Sequence, residues 1–222
     1  MGTSNWQNIS YNIDLIKKIN PQKILDIGCG FGRWGFLCRE FLDVWDDGNY
    51  KKSDFSRTID AVEIYENYIQ AYHHYFYNNI YIENAVDFLY STTNSYDLII
   101  AGDVIEHLPK KDGFKLIKLA LNKSKFVMIN IPVGKDWPQE ASEENIYEEH
   151  RSIWFKRDFS KFKHKKIRKF YDFIYRPYLV IVISNEKFNL NKLHRQRFGS
   201  YIRLKSLIPK PLKKIIKKLR NR

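Results

Sequence analysis

The stretch Ile24-Leu25-Asp26-Ile27-Gly28-Cys29-Gly30-Phe31-Gly32 decides how this chain is read. An apolar run passes without a break into glycines at alternate positions, the grammar of a buried strand that ends in a tight loop. Lacking Cβ atoms, Gly28, Gly30 and Gly32 can take positive φ and let a ligand touch the backbone before a helix opens at Arg33. The spacing is G-x-G-x-G, whereas the dinucleotide fingerprint is G-x-G-x-x-G with the third glycine packing helix on strand. Arg33 stands where that glycine belongs and argues against a nicotinamide cofactor.

Outward from this loop, strands and helices alternate. Residues 57–64 read as a second buried strand closing on Glu63, a carboxylate able to accept both hydroxyls of a ribose. Further strands are expected at 80–83, 98–102 and 126–131, and helices at 9–19, 32–42, 66–77, 86–90 and 112–122. Such alternation implies parallel pairing, right-handed crossovers and a ligand at the carboxyl ends of the strands. Two more strands, 167–174 and 178–184, meet at Arg176-Pro177 and predict an antiparallel edge. Residues 43–56, rich in Asp, Gly, Asn, Lys and Ser, read as a surface insertion.

The loop and the acid after it resemble the class I S-adenosylmethionine-dependent methyltransferases, whose loop has the form D/E-x-G-x-G-x-G. The resemblance falls on Asp26, Gly28, Gly30, Gly32 and Glu63. It continues at Asn84-Ala85, where the family often places Asp-Ala near the adenine. Asp103-Val104-Ile105-Glu106-His107-Leu108 is similar to the D-V-I-E-H-L form of many small-molecule and RNA methyltransferases. The resemblance covers residues 20–160. It implies a Rossmann-like, doubly wound α/β sheet, mostly parallel with an antiparallel edge, and S-adenosylmethionine as cofactor. Asp26, Gly28, Cys29, Gly30, Gly32, Glu63, Asn84, Ala85 and Asp103 are its expected contacts.

The chemistry turns on Asp103, Glu106, His107 and His150. Helical spacing puts the first three on one face, a set of oxygen and nitrogen ligands compatible with a divalent metal. His150, in Glu148-Glu149-His150-Arg151, can supply a fourth ligand. The pattern (D/E)-x-x-E-H with a later His resembles a metal-dependent branch that includes small-RNA 3′-end 2′-O-methyltransferases and ubiquinone-type O-methyltransferases, which usually have Glu at the position of Asp103. Two other readings stand open. His107 or His150 can act as a general base beside Glu106 without metal, or Asp103 caps a helix, Glu106 favours its dipole and His107 is packed.

The segment 130–154 is too long for a simple connection and sits where substrate is usually carried. Trp137, Tyr147 and Trp154 can stack on a ring, while Gln139, Asn145, Glu149 and Arg151 can hydrogen-bond hydroxyls; the competing reading is a lid packed on itself.

Charge divides the chain. Residues 1–150 carry 15 Lys and Arg against 22 Asp and Glu, and residues 151–222 carry 23 against three, so the net +13 belongs to the C-terminal part. Any polyanion would be met there. From Leu212 the apolar residues fall at Leu212, Ile215, Ile216 and Leu219 among lysines, the pattern of a basic amphipathic helix. The expected organisation is a cofactor-binding domain over 1–184 and a basic helical tail over 185–222. An anionic membrane surface met through 201–222 is the favoured partner of that tail, ahead of nucleic acid. With 44% hydrophobic residues in 222, a full α/β core is available. No run of about 18 apolar residues suits a spanning helix, and neither a signal core nor a myristoylation signal is evident at the start. Two cysteines, Cys29 and Cys38, read as free thiols. A cytoplasmic chain, peripheral at the inner face of the membrane if the tail binds it, is the expectation. The expected activity is O-methylation of a hydroxylated small molecule or glycan, with a lipid-linked acceptor suggested by the tail. The alternatives are RNA 2′-O-methylation and a catalytically silent cofactor-binding protein held at membrane by the tail.

Overall fold

The computed structural model describes residues 5–190. The basic helix read from Leu212, and the whole stretch 201–222 expected to meet a membrane, lie outside them. Seven strands form one sheet in the order β3-β2-β1-β4-β5-β7-β6. They are β1 (Lys23–Ile27), β2 (Thr58–Glu63), β3 (Ile80–Ile82), β4 (Tyr96–Gly102), β5 (Ser124–Pro132), β6 (His164–Tyr171) and β7 (Pro177–Ser184). The first five are parallel, with Ile24 opposite both Ile59 and Leu98. β7 pairs antiparallel with β5 and β6, which gives the expected edge.

β1, β4 and β7 read as nearly unbroken apolar runs because helices cover both faces of the sheet. On one face Leu25, Ile27, Ile99, Val127, Ile129, Leu179 and Ile181 pack with α4 (Ala85–Ser91) and α5 (Lys110–Lys123) around a fully buried Trp154. The alternate residues Ile24, Leu98, Ile100, Met128 and Val180 are buried on the other face. α1 (Ile9–Ile19) covers that side and ends at Asn20 in the left-handed conformation.

Of the expected helices, one changes type along its length and one is shorter than its sequence span. The helix after the glycine loop is α2 (Arg33–Cys38), which widens into a π-turn over Arg39–Val44. The expected helix 66–77 is only a 3₁₀ turn at Glu66–Tyr68 and one turn of α-helix, α3 (His73–Phe76). Its sequence is crowded with aromatic residues of modest helix propensity. Their rings are used instead for packing around Phe76 and Tyr77.

The insertion 43–56 is less superficial than its composition suggests. Asp43 is fully buried and accepts hydrogen bonds from Arg39, Ser56 and the Arg57 amide. The Arg39 guanidinium also donates to the Phe76 and Arg57 carbonyls. Both charges therefore have full sets of partners, the condition under which a buried ion pair is tolerated. The rest of the insertion is mostly exposed.

Candidate active site

The glycine loop leaves β1 with Gly28 at φ +63°, Gly30 at +51° and Gly32 at +82°, conformations that side chains disfavour. A Cβ on Gly28 would lie 2.6 Å from Val104 Cγ2, so the loop runs directly against the segment after β4.

Glu63 holds the loop from below. One oxygen accepts from Gly30 N at 2.9 Å and the other from Tyr65 N at 3.0 Å. Burial raises its pKa, while those backbone N–H groups pull it back down. Each oxygen keeps a lone pair for a ligand hydroxyl. Asp26 lies buried behind the loop, where Oδ2 accepts from Gly35 N and the Tyr77 hydroxyl. Its Oδ1 has no partner among the described residues. Burial pushes Asp26 from 3.8 up to about 7.

A carboxylate with a raised folded pKa binds its proton more tightly in the native state than in the unfolded one. Stability is therefore expected to fall as pH rises from about 4 to about 7, the window between those two values. Urea unfolding at pH 5 and pH 8 checks this. Asp26→Asn should flatten the difference between the two midpoints, and an unchanged difference would remove Asp26 as its source.

His73 is a loop-positioning residue that sequence reasoning missed. It is fully buried, and Gln70 N donates to its Nδ1 at 3.0 Å. The proton therefore sits on Nε2, which donates to the Gly30 carbonyl at 2.9 Å. Gly30 is thus gripped at its N–H by Glu63 and at its C=O by His73. Only the register of the short α3 helix brings His73 there, and no motif announces it. Cys29 and Cys38 are buried free thiols, both raised in pKa by burial. Asn84 caps α4, its Oδ1 accepting from Val86 N at 2.8 Å, and Ala85 opens that helix.

A second group of buried polar atoms sits at the end of β4, also without a sequence signal. A Cβ on Gly102 would lie 2.4 Å from Trp34 Nε1 and 3.5 Å from Asn130 Nδ2. Neither nitrogen has a partner among the described residues. Asn8 and Asn12 both donate to Asn130 Oδ1, at 3.1 and 2.8 Å, and tie α1 to β5.

Past Gly102 the chain turns sharply. Asp103 has φ +53°, a strained conformation for a residue with a side chain and one often found at functional sites. The following turn, Ile105–His107, is 3₁₀ with Val104 rather than Asp103 at its cap position. The turn sets Glu106 inward. Both Glu106 oxygens are buried without a partner among the described residues, and burial holds its pKa well above the usual carboxylate range.

The lid returns His150 to this turn. Arg151 N and Ser152 N donate to the Glu106 carbonyl at 2.8 and 3.0 Å. The His107 and His150 rings stand edge to face, 4.9 Å apart. His107 Nδ1 donates to the Glu149 carbonyl at 3.1 Å, and His150 Nδ1 to the Trp137 carbonyl at 2.7 Å. Carbonyls cannot donate, so both rings carry the proton on Nδ1 and keep the Nε2 lone pair free. Burial lowers both pKa values, that of His107 to about 4. Ligand atoms of Glu106, His107 and His150 lie within 4.8 Å of one another. Asp103, the fourth member expected from the sequence, stands outside that cluster.

The lid itself departs from the expected ring-stacking surface. Trp154 is a core residue whose ring packs on Phe159 and Phe114. Trp137 is held by Arg176 over its ring and by an indole hydrogen bond to the Pro177 carbonyl. At its other end the lid meets the turn after β2, where the Tyr68 hydroxyl bonds Asn145 and Glu148. A cleft of about 470 Å³ opens there among Tyr65, Tyr68, Gln139, Glu140, Ser142, Glu144, Asn145 and Glu148.

The family model for the tellurite resistance protein TehB matches residues 5–111. No curated protein matches the chain in sequence. Solved structures share the fold. A SAM-dependent methyltransferase from Archaeoglobus fulgidus is 17% identical with a TM-score of 0.56, covering 79% of this chain and 93% of its own. The N-terminal domain of EvdMO1, solved with S-adenosylhomocysteine and D-fucose, is 13% identical with a TM-score of 0.55, covering 82% and 84%. An O-methyltransferase family protein from Burkholderia thailandensis is 12% identical with a TM-score of 0.52, covering 81% of this chain and 57% of its own. The chain therefore shares the fold of the S-adenosylmethionine-dependent methyltransferases, with its glycine loop, Glu63 and strand order where the motif places them.

Proposed function

We propose that the enzyme methylates a hydroxyl oxygen on a small molecule or glycan, with a divalent cation held by Glu106, His107 and His150. The observation that carries this reading is the arrangement of those three side chains. Two imidazoles are locked by backbone carbonyls with their Nε2 lone pairs free, the outer-sphere arrangement that metal-ligating histidines use. Beside them lies a buried carboxylate with neither oxygen satisfied, which a cation would repair. When bound there, a divalent cation supplies Lewis acidity that lowers the pKa of an acceptor hydroxyl.

The donor side is fitted by the glycine loop, whose positive-φ turns expose backbone to a close ligand, and by Glu63. S-adenosylmethionine supplies an electrophilic methyl group on a sulfonium, so the protein's own work is alignment. Glu63 and His73 fix Gly30, Trp34 and Asn130 offer N–H donors at Gly102, and the lid excludes water. A sugar-like acceptor is supported by the D-fucose complex of the EvdMO1 domain, and oxygen by the description of the Burkholderia protein.

The test is turnover with S-adenosylmethionine across hydroxylated small molecules, glycans and a short RNA, before and after dialysis against EDTA. Turnover of a hydroxylated acceptor that EDTA abolishes and Mn²⁺ or Zn²⁺ restores is expected. EDTA-insensitive turnover would overturn the cation, and turnover of RNA alone would overturn the acceptor class.

A further inference from the structure

The tip of the turn between β6 and β7, residues 171–175, takes no part in the site above. Asp172 builds it. Its Oδ1 accepts from Ile174 N at 3.0 Å and Arg176 N at 2.7 Å, its Oδ2 accepts from Arg176 Nε at 2.9 Å, and its own N–H donates to the Arg176 carbonyl. Tyr175 completes the turn at φ +65°. The turn thus braced displays apolar side chains to solvent. Phe173 is 76% exposed, Ile174 55% and Tyr175 84%, with Tyr171 half exposed beside them. A contiguous apolar patch of this kind marks an interaction surface.

Its position and charge say what it meets. The tip stands at the carboxyl edge of the parallel strands, because Pro132 at the end of β5 pairs with Tyr178 at the start of β7. Three contacts link it to the candidate cation ligands. Arg176 lies 4.0 Å above the Trp137 ring, the Trp137 indole donates to Pro177, and the Trp137 carbonyl holds His150. Residues 151–190 carry 11 Lys and Arg against three acids. Two of those acids, Asp158 and Asp172, are tied to Lys110 and Arg176. Arg168 and Lys169 lie on β6 just before the tip, whereas the lid acids Glu140, Glu144 and Glu148 gather at Tyr65 and Tyr68, on the β2 side.

We propose that residues 171–175 are an interfacial anchor that docks the carboxyl edge of the sheet on an anionic lipid bilayer. The surface is a projecting turn rather than a groove, and it mixes an aliphatic residue with tyrosines and a phenylalanine, the composition that sits at the depth of lipid headgroups. Lys169, whose ammonium lies over the Tyr171 ring at the tip, is placed to meet lipid phosphates as the tip enters. Single-stranded nucleic acid would want successive flat rings for its bases, and Ile174 offers none. The docking would turn the mouth beside His150 toward acceptors carried in the membrane. It stands apart from the methyl-transfer reading, since it needs neither the cation nor the donor.

The test uses the full chain and a full-chain variant with Phe173→Ser, Ile174→Ser and Tyr175→Asn, the last because asparagine tolerates positive φ. Both are sedimented with phosphatidylcholine vesicles, with vesicles containing about one-third phosphatidylglycerol, and with a short RNA. The expected result is partition onto the anionic vesicles that falls about thirtyfold in the variant, with S-adenosylmethionine binding unchanged by calorimetry. A Phe173→Trp chain should show blue-shifted emission with the anionic vesicles and quenching by brominated acyl chains. Equal partition of variant and parent, no partition of the parent, an unshifted Phe173→Trp spectrum, or a loss confined to RNA binding would each overturn the proposal. Loss of S-adenosylmethionine binding in Glu63→Ala would bear on the donor site and leave this result untouched.

Discussion

Gly28→Val is expected to abolish S-adenosylmethionine binding and to destabilise the fold by on the order of 3 kcal/mol. Two effects combine. At φ +63° a valine carries the steric cost of the left-handed region, which is worst for a β-branched side chain. Its Cβ would also fall 2.6 Å from Val104 Cγ2, with two further methyl groups to place. Either the loop or the turn carrying Glu106 must move, so the loss reaches both halves of the site. Calorimetric titration and urea unfolding read the two effects separately. Gly48→Val supplies the control, because Gly48 has φ +73° with nothing within 4 Å of a new Cβ. It should show the strain without the loss of binding. Retained binding in Gly28→Val would undo the assignment of the glycine loop.

The second large effect is expected of Glu106→Gln. The change keeps the shape and removes the charge, so divalent-cation content should fall and turnover should drop by about 10²- to 10³-fold. Donor affinity should stay within about twofold, since Glu106 lies beyond the glycine loop and Glu63. Stability should change by less than about 1 kcal/mol, because Glu106 has no side-chain hydrogen bond to lose. Metal analysis, steady-state turnover and urea midpoints check the three parts. Full activity in this variant would return Glu106 to a packing role.

Much of the fold was legible because its signals are local. An apolar run such as Leu98–Ala101 can only be a strand covered on both faces, and alternation with helices then dictates the parallel sheet. The glycine loop, Glu63 and the turn at Glu106 were readable for the same reason, as each is a short contiguous pattern. His73, Trp34 and Asn130 were not, because each acts on a partner far away in sequence. Asp43 looked like a surface acid because composition does not reveal that Arg39 and Arg57 converge on it. Trp154 looked like a stacking platform because an aromatic residue in a long loop resembles substrate-binding surface until the space above Gly113 is seen to need filling.

The lid is fastened to Tyr68, five residues beyond Glu63, through Asn145, and to Pro177 beside the antiparallel edge through Trp137. Glu63 fixes that first anchor through the Tyr65 amide. If a ligand on Glu63 favours the closed lid, reciprocity requires a closed lid to tighten that ligand by the same factor. Donor and acceptor affinities are then expected to be linked through one strap of chain. If donor affinity were the same with and without acceptor, that linkage would be absent.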